Sequence, residues 1–546
     1  MTRFRVLVTD EIDPEGVELL RSESDFDVDE LPTTPPDKLA EIIGGYDAFV
    51  GRSATRLPAT MLDHAKRLRV IGRAGVGTDN IDIPRATAAG IAIINAPAGN
   101  TIAVAELFFG TLLGLVRHLP DAVESMRNGR WDRSALLGTE IKGRTLGIVG
   151  LGRIGSEVAI RARAFGMTII GFDPYVTDER FDLLRVTRAR TLTDLITQSD
   201  VVTVHTPLTD ETRGMIGAAE LRLARPGAIV ANMARGGIVD EAAVTEALKA
   251  GKLGGVILDV FTQEPLGPDN ALRSLPNVVL TPHLGASTSE GQRNVAVDVC
   301  ASVRDALLSG ELSRAINVVG GMDGRWDEIR PALVLVRRMA AIARAMLAGR
   351  GSRAVDAISL RVGRDLADAG DLLLASAAAG ALDAVTDDVR LNLVNARSLA
   401  ENRGIALSVA KASINDPDSF AQITMCCGKD EIRVAGVAPA GGRPRLSRIG
   451  KFSVDVTPRR TLVVLTNADV PGVIGRVGTL LGDAGVNIAE YHKARLSVGG
   501  EAMAAVSVDG DVSVDVRNHL LALPDITSAT VINLASLDPA GEHAWS

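Results

Sequence analysis

An apolar run closing with Gly147-Ile148-Val149 passes directly into Gly150-Leu151-Gly152-Arg153-Ile154-Gly155, and helical periodicity follows at once, from about Ser156 to Phe165. A strand that enters G-x-G-x-x-G and leaves as a helix is built to take a dinucleotide. Gly150 permits the tight turn, Gly152 lets the backbone approach a pyrophosphate, and Gly155 lets helix and strand pack closely. The free N–H groups and positive dipole end of the helix then face the phosphates without needing a charged side chain. A second apolar strand, 168–172, ends at Asp173, at the spacing of an acid that accepts the ribose hydroxyls. An acid there repels a 2′-phosphate, so the expected cofactor is NAD, not NADP.

With 546 residues the chain has room for three to four domains of about 150 residues each, and an apolar share of 46% fills several cores. No run of about 18 uncharged apolar residues occurs, and Met1-Thr2-Arg3-Phe4-Arg5-Val6-Leu7-Val8 starts a strand, not a signal peptide. No membrane association and a cytoplasmic location are therefore expected. Cys300, Cys426 and Cys427 have neither the number nor the spacing of a zinc site, so no metal is expected and the thiols read as buried or free. A formal charge of −8 gives no footprint for nucleic acid. Any anionic ligand must be held locally.

Strand and helix patterns alternate from the start: strands at 4–9, 48–51, 68–73 and 91–95, with a helix near 16–22, read as a parallel α/β unit. Helical periodicity over 101–119 and a polar loop, 127–138, lead to the glycine-rich strand. Further strands are expected at 201–204, 228–232, 255–259 and 278–281, giving a doubly wound nucleotide domain over 98–282. A long helix, 288–308, precedes a break at Gly320-Gly321. The texture then changes to Ala/Arg-rich helix (331–347), a strand at 357–362, a helix near 391–403, a basic stretch (Arg443, Arg445, Arg448, Lys451) and a strand at 452–456. From Thr461 a βαββαβ pattern reads as a ferredoxin-like module: strands at 461–465, 486–492, 502–508 and 528–534 with helices at 473–484 and 514–522. Residues 537–546 read as a frayed tail.

Ligands bind beyond strand ends in such sheets, and three chemistry-bearing residues fall there. Arg235 follows the strand ending at Asn232, Glu264 follows Asp259, and His283 follows the strand ending near Thr281. Removing hydride from an alcohol carbon requires a group that takes the hydroxyl proton, and histidine titrates in the right range. A nearby carboxylate fixes its tautomer, and an arginine offers two parallel N–H donors to a substrate carboxylate. Each residue alone reads as loop or surface; convergence of the three on one crevice reads as a catalytic set.

The motifs Arg52-Ser53-Ala54-Thr55, Gly72-Arg73-Ala74-Gly75-Val76-Gly77-Thr78-Asp79-Asn80, Gly150 to Gly155, His205-Thr206-Pro207, Ala234-Arg235-Gly236-Gly237 and Pro282-His283-Leu284-Gly285-Ala286-Ser287-Thr288 resemble those of the D-isomer-specific 2-hydroxyacid dehydrogenases. Within them, the nearly full-length likeness is to the long-form phosphoglycerate dehydrogenases. The resemblance implies His283 as acid/base, Glu264 as its partner and Arg235 as the third catalytic residue. It places Arg153, Ile154, Asp173, Thr206, Met233, Ala234, Asp259 and Ala286 at the NAD, with Arg235 and His283 bordering it and Asp259 near the nicotinamide amide. It also implies a discontinuous flavodoxin-like substrate domain, 1–97 joined by 283–316, an α+β intervening domain over 319–456 and an ACT domain over 460–536.

The same resemblance implies oxidation of 3-phosphoglycerate to 3-phosphohydroxypyruvate, the entry step of phosphorylated serine synthesis, by a homotetramer. Arg52, Ser53 and Arg73 lie in the matching substrate loops, the N–H groups of Gly75, Val76 and Gly77 face the carboxylate, and Arg133 lies in a projecting loop that can reach a neighbouring subunit. In the ACT domain Asp469 and Asn487 sit where the family binds L-serine; Asp469 alternatively starts a turn and caps the next helix. Asn467 departs from the bulkier residue of relatives. The basic stretch is open to two readings, a second anion site or a solvated face. Two other functions share this fold: a dehydrogenase acting on glyoxylate or another unphosphorylated hydroxyacid, and a noncatalytic NADH-sensing corepressor.

Overall fold

A computed structural model describes residues 3–318, 320, 325–351, 354–383 and 391–537. The first sheet is five-stranded and wholly parallel, ordered Phe26–Glu30, Phe4–Val8, Ala48–Gly51, Val70–Arg73, Ala92–Asn95. Its central strands are mostly apolar, with Arg5 and Arg73 near strand ends, because helices cover both faces. One cover comes from far along the chain. Helix Ser289–Leu308 lays Val295, Val299, Cys300 and Val303 against Val6, Val8 and Val50. The chain then returns to the sheet margin, where the Ile316 N–H donates to the Ile93 carbonyl at 2.8 Å.

The second sheet holds the glycine-rich loop. It is parallel and seven-stranded, ordered Val278–Leu280, Leu253–Leu258, Ala228–Asn232, Val201–Val204, Thr145–Val149, Thr168–Phe172, Thr187–Arg188. Strand order reverses at Thr145–Val149, which opens a crevice at the carboxyl ends of the strands where the glycine loop lies. The α/β class and the doubly wound sheet expected from the sequence are both present. Helix Thr101–Val116 supplies Val104, Phe108 and Leu112 to this core. The continuous helix expected over 101–119 breaks at Arg117-His118, and a second helix, Leu119–Arg127, begins there. Pro120 has no N–H for the Val116 carbonyl and its ring would clash there. That carbonyl accepts instead from the Thr139 N–H at 2.9 Å.

Beyond this unit, the sheet Ala406–Lys411, Ala357–Val362, Phe420–Cys427, Asp430–Val437, Arg445–Ile449, Phe452–Val456 is antiparallel except for its first pair. Only two of these six strands were expected; the basic stretch itself contains one. Helices Trp326–Gly349 and Gly370–Leu382 cover the sheet, so close together that a Cβ on Gly380 would lie 2.0 Å from the Arg337 carbonyl oxygen. The first starts five residues before the expected Pro331, because Trp326 and Ile329 have apolar surface to bury. The expected helix near 391–403 shortens to Ala396–Asn402. Asn392 and Asn395 tie the preceding backbone into a turn through their side chains.

The last unit has strand order Ile488–Arg495, Glu501–Val508, Thr461–Ala468, Ile526–Asn533, all antiparallel, with helices Val473–Asp483 and Val514–Ala522 packed on one face. This is the expected βαββαβ module. Its other face joins the core under helix Trp326–Gly349 through Leu462, Val464, Met503 and Ile532. Leu537, expected as the start of a frayed tail, is buried in that core; residues 538–546, and Gly321 of the expected break, lie outside the described residues.

Candidate active site

The glycine loop has the geometry its sequence requires. Gly150 has φ 91°, and a Cβ there would meet the His205 carbonyl oxygen at 2.7 Å. A Cβ on Gly155 would lie 2.0 Å from the Gly150 carbonyl oxygen, whereas over Gly152 there is open space. That space lies at the start of helix Arg153–Ala164, whose first N–H groups have no partner within the helix. Arg153 is exposed and Ile154 packs partly on the sheet core. Asp173 sits just beyond its strand, one carboxylate oxygen accepting from the Leu151 N–H (2.8 Å) and the other from the Tyr175 N–H (3.0 Å). The acid is thus fixed to the glycine loop itself. Thr206 is beside Gly150, and its buried hydroxyl has no partner among the described residues. Burial of the adjoining His205 ring pushes its imidazole down to about 4 and keeps it neutral; its Nε2 meets the Thr203 hydroxyl at 3.0 Å while Nδ1 has no partner among the described residues. An unsatisfied hydroxyl and an open, glycine-lined helix start fit a dinucleotide.

At the next strand ends, the Asn232 amide shapes the turn through Met233 and Ala234. Its Nδ2 donates to the Arg235 carbonyl at 2.8 Å and its Oδ1 accepts from the Ala234 N–H at 3.0 Å. Gly236 allows this turn to pass against the following one, since a Cβ there would lie 1.9 Å from the Phe261 carbonyl oxygen. Asp259 is buried, which raises its carboxyl pKa. Its oxygens accept from the Thr281 hydroxyl (2.5 Å) and the N–H groups of Leu284 (2.7 Å) and Gly285 (2.9 Å). Asp259 therefore staples the loop that carries His283 and Ala286.

His283 has φ 55°, a conformation uncommon for a side-chain-bearing residue. Its Nδ1 stands 2.8 Å from Glu264 Oε2, and Glu264 Oε1 accepts from the Phe261 N–H at 3.0 Å. The ring is half-exposed, and Nε2 makes no hydrogen bond to a described residue. This is a histidine oriented by a carboxylate with its second nitrogen presented to the crevice.

Arg235 crosses that crevice. Its Nε is 3.2 Å from Asp79 Oδ2, and a Cβ on Gly77 would lie 2.1 Å from its Nη2. Arg73 comes up from the first sheet, largely buried, with Nη1 donating to the Ala74 carbonyl and Nε without a partner. Burial, then the charges of Arg235 and Arg52, pushes its guanidinium down to about 10. Three cations thus repel one another at one point, an arrangement an anion relieves. The N–H groups of Gly75, Val76 and Gly77 make no hydrogen bond to a described residue, while Asn95 anchors the Val76 carbonyl at 2.5 Å. Ser53 is exposed at the tip of the Arg52 loop. Asp79, inside a motif but not singled out by the sequence reading, and Asp10, in no motif, face the same cluster.

Other expected residues do not join it. Arg133 is exposed in the short turn Arg133–Ala135 and has no contact with these arginines within one chain. In the last unit, strand register puts Asp469 beside Glu501 and Arg495, and Asn487 beside Val508. The two stand at opposite ends of the sheet, about 24 Å apart by strand rise. Serine cannot lie between them in one chain. Asp469 is moreover engaged by Lys493 (2.6 Å) and Arg495 (3.5 Å), with Lys493 holding its carboxyl below the usual range. Asn487 donates to Asp509 at 2.5 Å, and the buried Asn467 to the Ala468 carbonyl at 2.6 Å. Of the basic stretch, Arg445 pairs with Asp455 and Glu490, and Lys451 with Glu501; half of its charge is spent internally.

Residues 109–285 match the family described as D-isomer specific 2-hydroxyacid dehydrogenase, NAD binding domain. Over 98% of its length the chain is 37% identical to D-3-phosphoglycerate dehydrogenase of Synechocystis sp., covering 95% of that protein. Over 97% of its length it is 37% identical to D-3-phosphoglycerate dehydrogenase of Bacillus subtilis, covering all of it. Among solved structures, a glyoxylate reductase from Paecilomyes thermophila is 33% identical with a TM-score of 0.53, covering 58% of this chain and 99% of that one.

Proposed function

The chain belongs to the D-3-phosphoglycerate dehydrogenases, within the D-isomer-specific 2-hydroxyacid dehydrogenase family, and from that premise we propose that it oxidises 3-phosphoglycerate to 3-phosphohydroxypyruvate with NAD. The observation that carries the substrate is the crowding of Arg52, Arg73 and Arg235 beside the His283–Glu264 pair. An unphosphorylated acid has use for one of those cations; a phosphorylated one has use for all three.

The open space over Gly152 and the unpaired Thr206 hydroxyl receive the dinucleotide, and Asp173 takes the ribose hydroxyls. When bound, NAD supplies the hydride acceptor. Arg235 and the free N–H groups of Gly75, Val76 and Gly77 hold the substrate carboxylate, which fixes the face of the carbon that loses hydride. Arg52 and Arg73 hold the phosphate. Nε2 of His283 takes the hydroxyl proton as the C–H bond breaks, and Glu264 stabilises the imidazolium that results. Proton and hydride leave together, and the alcohol becomes a ketone.

We place this chemistry in the cytoplasm, in a homotetramer. Leu119, Val123 and Met126 are exposed on one helix and Trp131 and Leu137 are 79% and 86% exposed on the next loop, which supports a subunit contact there and brings Arg133 towards a neighbour. L-serine as effector requires a second chain that sets its Asn487 beside Asp469, displacing Lys493. Turnover of NAD with 3-phosphoglycerate, set against turnover with D-glycerate and NADH consumption with glyoxylate, tests the substrate assignment. Preference for glyoxylate overturns it.

A further inference from the structure

The loop that carries Arg52 is fastened from two sides by residues that make no contact with the crevice chemistry itself. Strand Phe4–Val8 runs out through Thr9, and the next two residues, Asp10 and Glu11, have φ of 65° and 53°. Side-chain-bearing residues adopt that left-handed conformation uncommonly, aspartate more readily than most. What imposes it on Asp10 is visible: the residue is 6% exposed, and four donors converge on its carboxylate. Oδ2 accepts from the N–H groups of Arg52 (2.9 Å) and Thr55 (3.0 Å), and Oδ1 from the hydroxyls of Thr55 (2.7 Å) and Thr33 (2.9 Å).

Asn80 completes the clamp from the second substrate loop. Its Nδ2 donates to the carbonyls of Arg52 (3.0 Å) and Thr55 (2.6 Å), the same two residues whose N–H groups Asp10 takes. Both ends of the four-residue loop are thereby fixed at donor and acceptor alike, while Ser53 and Ala54 stand exposed between them. The Arg52 side chain makes no hydrogen bond or ion pair with a described residue, so its guanidinium is open to a ligand and rides on an immobilised backbone.

A carboxylate at Asp10 is an electrostatic disadvantage for a site that collects anions, because its charge lowers the local potential around Arg52 and Arg73. Geometry explains its presence. One oxygen of the group takes the N–H groups of Arg52 and Thr55, and the other takes the hydroxyls of Thr33 and Thr55. We infer that Asp10 and Asn80 are positioning residues for phosphate recognition, presetting Arg52 so that little ordering cost falls on the binding step. This rests on the reading of Arg52 as a phosphate ligand. An asparagine at position 10 keeps the geometry: its Oδ1 accepts from both N–H groups and its Nδ2 donates to the two threonine hydroxyls, which turn to accept.

The test is the NADH-dependent reduction of 3-phosphohydroxypyruvate and of hydroxypyruvate by the full-length protein carrying Arg52→Ala, Asp10→Ala, Asp10→Asn or the double change Asp10→Ala/Arg52→Ala. For Asp10→Ala the expected result is a KM for the phosphorylated substrate raised about ten- to a hundredfold, with kcat within about threefold and hydroxypyruvate little affected. Asp10→Asn should restore that KM to within about threefold of the parent, and the double variant should be no worse than Arg52→Ala alone, since the two act through one group. Equal losses on both substrates, absence of rescue by asparagine, or additive losses in the double variant overturn the inference. If Arg52→Ala impairs phosphorylated substrate and Asp10→Ala does not, the inference alone fails; if Arg52→Ala is itself without effect, the phosphate reading fails and takes the inference with it. Should Asp10→Ala yield no folded protein, Asn80→Ala and Asn80→Ala/Arg52→Ala are judged by the same KM, substrate-selectivity and additivity criteria.

Discussion

Nδ1 of His283 and Oε2 of Glu264 stand 2.8 Å apart, and the other oxygen of Glu264 is taken by the Phe261 N–H. The carboxylate is thus locked before it orients the ring, and the imidazole must carry its exchangeable proton on Nε2 only when it has done work on the substrate. Replacing Glu264 by glutamine offers Nδ1 a donor where it had an acceptor, which favours the tautomer with its proton on Nε2, the nitrogen that has to accept. Glu264→Gln is expected to lower kcat/KM by about 10²- to 10⁴-fold while leaving the dissociation constant for NADH within about twofold of the parent. Titration of NADH fluorescence beside initial rates checks both halves; an equal loss of NADH binding would assign Glu264 to the cofactor site instead.

Asp173 carries two duties, and they separate by measurement. It holds the N–H groups of Leu151 and Tyr175, and in the proposed cofactor placement its negative charge meets a 2′-phosphate. Asp173→Ala should lower kcat/KM with NAD through the loosened glycine loop and raise the NADP/NAD ratio of kcat/KM. An unchanged ratio contradicts its place at the ribose.

Arg73 is the cation of the cluster whose guanidinium is pushed down by burial to about 10, and its Nε has no hydrogen-bond partner among the described residues. Arg73→Ala should cost roughly 1.5 to 3 kcal/mol of transition-state binding, about ten- to a hundredfold in kcat/KM, for 3-phosphoglycerate. D-Glycerate turnover should change far less, since relief of repulsion leaves Arg235 free to hold the carboxylate. Equal losses on the two substrates point to a folding defect.

The opposite placement of Asp469 and Asn487 makes the proposed effector site dependent on assembly. L-serine is expected to inhibit the parent protein, and Asp469→Ala or Asn487→Ala to relieve inhibition without lowering the uninhibited kcat. Because the two residues must come from different chains, inhibition should weaken as dilution dissociates the oligomer, followed by rates across a protein concentration series with sedimentation alongside. Undetectable serine binding at millimolar concentration leaves the module a structural element.

The parts of this architecture that were legible in the sequence are those whose physics is local. Gly150 and Gly155 are required by a turn and a close approach within six residues, and strands Thr168–Phe172, Val201–Val204 and Ala228–Asn232 are apolar on both faces and bounded by turn residues. Strands Phe420–Cys427 and Asp430–Val437 went unread because they form a hairpin with one face partly exposed, where threonine, glutamine and arginine alternate with the core residues and dilute the apolar signal. Asp10 was invisible for a different reason. Its importance comes from contacts with residues 42 and 45 positions away, which no spacing along the chain announces. The distance between Asp469 and Asn487 likewise follows from strand register, not from the motifs that carry them.

We propose that His283 moves the substrate proton in a site shaped for 3-phosphoglycerate. The most direct test is the rate of NAD reduction with 3-phosphoglycerate by the parent protein and by His283→Ala, measured beside NADH binding. Turnover by the parent is expected, with a loss of about 10²- to 10⁴-fold in the variant and NADH affinity nearly unchanged between the two. Activity of His283→Ala within about twofold of the parent, far below the loss expected for an absent acid/base, would contradict it.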